Sequence, residues 1–460
     1  MSAAFAIRDE MNDIAEAPGK VWFWELERAV IDAGRCVQCG VCVAACPSDS
    51  LGIGPDDLPK LVKMCTGCSL CWDFCPRGGL RYETLGAILE GGVGERGKGG
   101  KGEGSQESQV GSRESRVRSQ ESAAGNGETC SKHREHANGH SPFPLPLSPT
   151  PRSALPTPDS RLPTSRLTAR VADPLPGVQD GGVVSALLIA LLEAGEIDGA
   201  LVAKPSEREP WKGVAHLAQT PEDVIACAGS FYNQTLALGH LDLKKYTLPK
   251  HPRIALVGTP CEIQGLRAMQ ARPFYWGASQ VDAVVLTVAL LCTKSFHYEQ
   301  LMVREIQERR QIGLAEIAKI DIIRGKLYLY GHEGEMLLEE PIRDFHGAAL
   351  KGCDECADFL GVAADISVGS VGSADGYSSV LLWNDVGQHA FQRVGSRLEI
   401  RDLDKPQAIE KLAALDLKVA LETLPRPYDP HGNLFISYDE HLSHYAGTDR
   451  APVTHEPVRY

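Results

Sequence analysis

Apolar residues recur along the second half of the chain with two different spacings. VVSALLIALLEAG (residues 183–195) carries them at the helical period, and DGALVAK (198–204) follows as a short strand. RIALVG (253–258) and DAVVLTVALLC (282–292) are unbroken runs rich in β-branched residues, the pattern of strands buried on both faces. HYEQLMVREIQERR (297–310) returns to helical spacing. Strand and helix in alternation predict a mainly parallel, twisted sheet with covered faces. KIDIIRGKLYLYG (319–331) and SSVLLWNDVGQHAF (378–391) read instead as strand pairs around Gly and Asn-Asp turns, so an antiparallel subregion is expected as well.

Between residues 91 and 170 the pattern vanishes. Gly, Ser, Glu and Arg give way to Pro, with near-repeats such as SQESQVGSRESRVRSQES and PLPLSPTPRSALPTPDSRLPTSRL. Too little apolar surface is available there to offset the entropy of ordering, so the stretch reads as a disordered linker. Cys130, His133, His136 and His140 fall inside it, but a zinc site needs a core to hold its ligands in place, and the flanking residues supply none. The division expected is therefore residues 1–90, a linker 91–170, and 171–460.

Composition narrows the function. A chain of 460 residues exceeds one ordinary domain, and a net charge of −13 without a basic stripe argues against a nucleic-acid groove. No apolar run is long enough to span a bilayer, and the N-terminus carries acidic residues where a signal peptide would be basic and then apolar. A cytoplasmic location is expected. Structural disulfides are then a poor explanation for 14 cysteines, and metal ligation a better one.

The cysteines carry the chemistry. CVQCGVCVAACP (36–47) and CTGCSLCWDFCP (65–76) each space four cysteines by two, two and three residues before a proline, the bacterial two-cluster ferredoxin signature. In that arrangement three thiolates of one loop cap one cubane and the fourth reaches the other. Cys36, Cys39, Cys42 and Cys75 are thus assigned to one 4Fe-4S cluster, and Cys65, Cys68, Cys71 and Cys46 to the second. Zinc knuckles also use CxxC pairs, but four ligands suffice for zinc and the third spacing would gain nothing.

A second group is scattered in sequence. Cys261 follows the strand RIALVG, Cys292 ends the strand DAVVLTVALLC, and Cys353 and Cys356 form a CxxC pair in KGCDECADF. Turns after parallel strands lie at the carboxyl edge of the sheet, where ligands collect, so these four could share one more 4Fe-4S cluster. Any one of them alone could equally be a buried structural thiol. Cys227 has no paired cysteine and stays outside the ligand set.

VQDGGVVSALLIALLEAGEIDGALV, AGSFYNQ, IALVGTPCEIQGLRA and KGCDECADFLGVAADISVGSVGS together resemble the family of β subunits of coenzyme F420 hydrogenases and dehydrogenases over residues 177–387. The resemblance implies a C-terminal mixed α/β flavin-binding domain, so with the bacterial-type ferredoxin module and the long disordered linker, in which this chain departs from the family's pattern, the expected fold is an α+β and α/β combination. It also implies FAD and a 4Fe-4S cluster in that domain, and electron exchange between reduced F420 and a ferredoxin-like carrier or partner oxidoreductase subunit. Ferredoxin-dependent reductases of chlorophyll precursors share the family, and a relay subunit with a decayed flavin site is a further alternative.

Gln179, Asp180, Gly181 and Gly182 form a turn opening the helix at Val183, whose free N–H groups suit a pyrophosphate; an ordinary helix-capping turn would look the same. Gly229, Ser230 and Tyr232 match the family's segment beside the flavin. No catalytic residue is assigned.

Overall fold

The computed structural model describes residues 22–80, 162–271 and 281–423. Most of the stretch expected to be linker, with Cys130 and its neighbouring histidines, lies outside the described residues.

Residues 22–80 form a small cysteine-rich module. Helix α1 (Phe23–Leu26) runs on as a wider π-type turn over Glu27–Asp32, followed by α2 (Val41–Ala44), a hairpin of β1 (Leu51–Ile53) and β2 (Pro59–Leu61), and α3 (Leu70–Asp73). The second half opens with β3 (Ser165–Val171) and α4 (Val183–Glu193), then β4 (Gly199–Pro205), β5 (Gly213–Ala218) and α5 (Pro221–Ala226). Next come β6 (Ile254–Gly258), α6 (Pro260–Ala271), β7 (Val284–Leu290) and the π-type helix α7 (Glu299–Arg309). A three-stranded antiparallel sheet follows, of β8 (Ile317–Ile323), β9 (Lys326–Gly331) and β10 (Met336–Pro341). The chain then returns to the main sheet with β11 (Ile366–Gly369), β12 (Ser378–Leu382), α8 (Asp385–Val394), β13 (Leu398–Asp402) and α9 (Pro406–Thr423).

The main sheet has the order β13-β3-β12-β11-β7-β6-β4-β5. Its centre, β4, β6, β7 and β11, is parallel, and the flanking pairs are antiparallel, so the sheet is mixed as expected. Alternating strand residues bury opposite faces. Ala200, Val202, Ala255, Leu286 and Val288 pack with Leu187 and Leu188 of α4 and Phe391 of α8. Leu201, Ile254, Leu256 and Val284 pack with Ile263 and Leu266 of α6. Val37, Cys39, Val41, Ala44, Ala45 and Phe74 of the cysteine-rich module belong to that same core. The module is therefore part of the layer that covers one side of the sheet.

Two expectations are corrected. Strand β3 begins within residues 91–170 and pairs with both β12 and β13, so the folded second half begins by Ser165. Its alternation was hidden by the Ser and Arg positions of SRLTARV. The segment 378–391 is one strand and one helix, because Asn384 caps α8 by accepting from the Gly387 N–H at 3.0 Å and Ala390, Phe391 and Val394 line the buried face. The pair in 319–331 is confirmed as β8 and β9. Among the described residues no helix is long and apolar enough to cross a membrane.

Candidate functional site

The two cysteine loops of the small module are built alike. Gln38 and Gly67 take the same place in each, as do Gly40 and Ser69, and all four have left-handed backbones (φ 53°, 65°, 73° and 66°). That conformation turns the amides inward: the N–H groups of Gln38 and Gly67 lie 3.4 Å from the sulfurs of Cys36 and Cys65. The Ser50 N–H donates to Cys46 Sγ at 3.2 Å and the Arg77 N–H to Cys75 Sγ at 3.4 Å. Sulfurs receiving amide hydrogen bonds are suited to the negative charge of a cluster ligand.

Cys75 of the second loop lies among the thiols of the first, and Cys46 of the first among those of the second. Burial raises the pKa of Cys36, to about 12, and those of Cys39, Cys42, Cys71 and Cys75, and for the first four of these neighbouring thiols add to it. The neighbours felt by Cys42 are Cys36 and Cys75, then Cys71; those felt by Cys71 are Cys65, Cys68 and Cys46, then Cys75. Metal binding displaces thiol protons, so a ligand set of this kind would bind as thiolates. Among the described residues no three His, Cys, Asp or Glu side chains are grouped closely enough to hold a single metal ion.

Cys261, Cys292, Cys353 and Cys356 also meet. Strands β6 and β7 are parallel neighbours, which brings Cys261 at the start of α6 beside Cys292 after β7, and the short 3-10 turn Lys351–Glu355 delivers the CxxC pair. After burial, the groups that most disturb Cys292 are Cys353, Cys261 and Cys356. Small donors surround the sulfurs: the Ser295 N–H reaches Cys353 Sγ at 3.4 Å, and Thr259 Oγ1 lies 3.1 Å from Cys261 Sγ. This set fits the donor requirements of a third cluster. Cys227 has no thiol among its neighbours; burial, then Asp223, lifts its pKa to about 11.

The third set touches the first. After burial, the strongest influence on Cys39 is Cys261, ahead of Cys75 and Cys42. Two long-range contacts lock this junction. Arg35, 1 % exposed, clasps Glu355 through Nε to Oε1 at 2.6 Å and a terminal nitrogen to Oε2 at 2.8 Å. Gly352 permits the approach, since a Cβ there would sit 1.9 Å from the Arg35 carbonyl oxygen. A buried, bidentate pair is costly to break, about 3–5 kcal/mol when one partner is removed. The module is fixed to the sheet domain through it.

The two glycine-bearing segments converge on β8. Gln179 donates its amide to the Ile320 carbonyl at 3.2 Å and to the Asp321 carboxylate, while the Tyr232 hydroxyl accepts from the Ile322 N–H at 3.1 Å. Asp180, with φ 48°, is half-shielded, and burial, then Asp321, raises its pKa. Gly182 leads into α4 in a left-handed conformation, and no side chain caps the helix's first turn. Those first-turn amides are donors in search of an acceptor, which suits a phosphate. Gly181 is demanded by packing as well: a Cβ would lie 2.4 Å from the Ala169 carbonyl oxygen, and its N–H donates to Ser378 Oγ at 3.1 Å. Gly229 has φ 121°, and Ser230 and Tyr232 line a crevice with Trp211 and His297.

Sequence reasoning missed Gln234, the last residue of AGSFYNQ. Its side-chain amide donates to Ser295 Oγ at 2.9 Å and Thr259 Oγ1 at 3.2 Å and lies 4.0 Å from Cys261 Sγ. One seven-residue segment thus runs from the β8 crevice to the third thiol set. Arg35, Glu355 and Arg77 were missed too, since single long-range partners leave no periodic trace.

Fold and thiol spacing together define a two-motif cysteine module packed on a mixed α/β domain. Residues 166–242 and 251–406 match the N-terminal and C-terminal parts of the family described as coenzyme F420 hydrogenase/dehydrogenase, beta subunit, and residues 28–76 match the 4Fe-4S dicluster domain. The chain is 36 % identical over 220 residues to the coenzyme F420 hydrogenase subunit beta of Methanothermobacter thermautotrophicus, covering 47 % of this chain and 74 % of that one. It belongs to the family of coenzyme F420 hydrogenase/dehydrogenase beta subunits. Similarity extends to a subunit of the F(420)H(2) dehydrogenase of Methanosarcina mazei (34 % identity, 50 % of this chain, 63 % of the relative). The coenzyme F420-dependent sulfite reductase of Methanocaldococcus jannaschii matches at 28 % identity over 86 % of this chain and 51 % of its own length. The chain therefore spans less than two thirds of these last two relatives. A chain of the F420-reducing NiFe hydrogenase complex from Methanosarcina barkeri superposes with a TM-score of 0.54 at 26 % identity, covering 62 % of this chain and 95 % of that one.

Proposed function

We propose that this protein exchanges a hydride with coenzyme F420 and hands the electrons on singly to an iron-sulfur partner, in the cytoplasm. When bound, FAD would supply the hydride chemistry and the step from paired to single electrons, and 4Fe-4S clusters the single-electron steps. FAD would be held by Gln179, Asp180, Gly181 and Gly182 at the first turn of α4 and by Gly229, Ser230 and Tyr232 across from it. Cys261, Cys292, Cys353 and Cys356 would hold the cluster beside it. Cys36, Cys39, Cys42 and Cys75 would ligate the next, and Cys46, Cys65, Cys68 and Cys71 the last. A ferredoxin-like carrier or a partner oxidoreductase subunit would take the electrons there, where Cys68 is exposed.

The observation that carries this reading is the unbroken adjacency of Gln234, Cys261, Cys39, Cys42 and Cys71. The Arg35–Glu355 clasp keeps the order of sites constant, so no swinging of the module is required for transfer. F420-linked activity in the relatives favours F420 as the hydride partner.

The test is anaerobic mixing of purified protein with reduced F420. Bound FAD is expected, and its absorbance should bleach within one turnover. A chain without flavin would instead be a relay subunit, and flavin that responds only to reduced ferredoxin plus a conjugated organic substrate would make it a reductase of that substrate.

A further inference from the structure

Arg77 stands between the two inner thiol sets, and its role there rests on reading those sets as clusters. The residue comes directly after the Cys-Pro pair of the second motif and is 3 % exposed. Its backbone N–H bonds Cys75 of one set, while its side chain reaches the other way, Nε donating to the Gly352 carbonyl at 2.6 Å beside Cys353. A terminal nitrogen donates to the Pro76 carbonyl at 2.8 Å, and the Arg77 carbonyl receives Arg35. Among the described residues its guanidinium hydrogen-bonds only to those two carbonyls. The near carboxylate, Glu355, is already engaged through both oxygens by Arg35.

A fully buried cation bonded to carbonyls alone is expensive unless an anion lies nearby. Beside the Gly352 carbonyl, the groups whose negative charge the guanidinium would feel are, in order, Cys356, Cys261, Glu355 and Cys353. Three of those four neighbours belong to the third thiol set. Cys75 and Cys36 also have this cation among their neighbours, and the outer thiol Cys71 does not have it among its main ones.

We propose that Arg77 is the fixed counter-ion of the cluster held by Cys261, Cys292, Cys353 and Cys356, and that it raises that cluster's reduction potential so that it accepts the first single electron. Four thiolates around a cubane give a net negative site, and one added electron makes it more negative by one charge. A permanent positive charge in a water-poor interior stabilises the reduced form more than the oxidised one. No proton need move, because guanidinium stays charged throughout. Arg77 thereby acts as a positioning residue for the electron.

An EPR-monitored redox titration of the full, cluster-loaded chain tests this, with the third cluster identified as the signal absent from the Cys261→Ser variant. Arg77→Gln should lower the reduction equilibrium constant of that signal tenfold or more, which is at least 59 mV for one electron. Arg77→Lys, which keeps the charge, should stay within threefold of the parent, and the outer cluster should not move in either variant. Loss of the third cluster's iron from Arg77→Gln alone, with Arg77→Lys fully loaded, would support the same charge requirement acting at assembly. An unshifted Arg77→Gln, an Arg77→Lys displaced as far as Arg77→Gln, a uniform shift of all signals, or failure of both variants to hold the set would each overturn the proposal. Absence of any Cys261-dependent signal in the parent would instead remove the cluster reading beneath it.

Discussion

The Cys71→Ala variant is expected to take a hydride from reduced F420 as fast as the parent and yet to deliver almost nothing to an external one-electron protein. Cys71 is buried among Cys65, Cys68 and Cys46 and is remote from the β8 crevice, with the two inner sets between them. Removing its sulfur strips a ligand from the outer cluster and leaves Gln234, Cys261 and the glycine turn untouched. Flavin bleaching in stopped flow should therefore keep its rate, while steady reduction of a ferredoxin-like acceptor falls by roughly 100-fold or more, the pattern of a mutation that blocks a late step. Cys71 also packs with Phe23, Leu26 and Trp72, so some loss of thermal stability is expected. Loss of flavin reduction with FAD still bound would mean that hydride entry depends on the small module, and the order of sites would be reversed.

Replacing Cys261 with Ala should remove one of the three clusters and cut the chain's electron path at its first single-electron site. Iron and sulfide analysis should show a third of the metal gone, with the ferredoxin-type EPR signals retained. The flavin should still accept a hydride and then stall. The Arg77 guanidinium would at the same time lose the anions that compensate it, so destabilisation beyond the loss of one buried thiol is expected. Unchanged cluster content in this variant would show that Cys261, Cys292, Cys353 and Cys356 are ordinary buried thiols.

How far these sites could be read from sequence depends on how local their signals are. The eight cysteines of residues 36–75 stand out because their spacing is the two-cluster ferredoxin signature, and the fold brings Cys75 and Cys46 each to the opposite loop. Cys261 and Cys292 were legible one level up, since buried β-branched runs imply parallel strands and the residues after them share an edge. Nothing local marks Arg35 for Glu355, 320 residues away, so the permanent docking of the module was invisible until the fold closed. Gln234 reads as a loop amide until Thr259 and Ser295 surround it. Gly181 reads from sequence as a phosphate contact, and the structure adds a second reason for it in the close approach of β3 and β12. The Asn384-Asp385 pair misled because the same residues that turn a hairpin also cap a helix, and only the spacing of Ala390, Phe391 and Val394 decides between them.

The order of electron flow is the central claim, and freeze-quench EPR after mixing with reduced F420 reads it most directly. The account predicts that flavin absorbance is lost first, that the signal missing from Cys261→Ala is the first iron-sulfur signal to rise, and that the signal disturbed in Cys71→Ala rises last. Reduction of the Cys71-dependent cluster before the Cys261-dependent one, or cluster reduction with the flavin still oxidised, would contradict it.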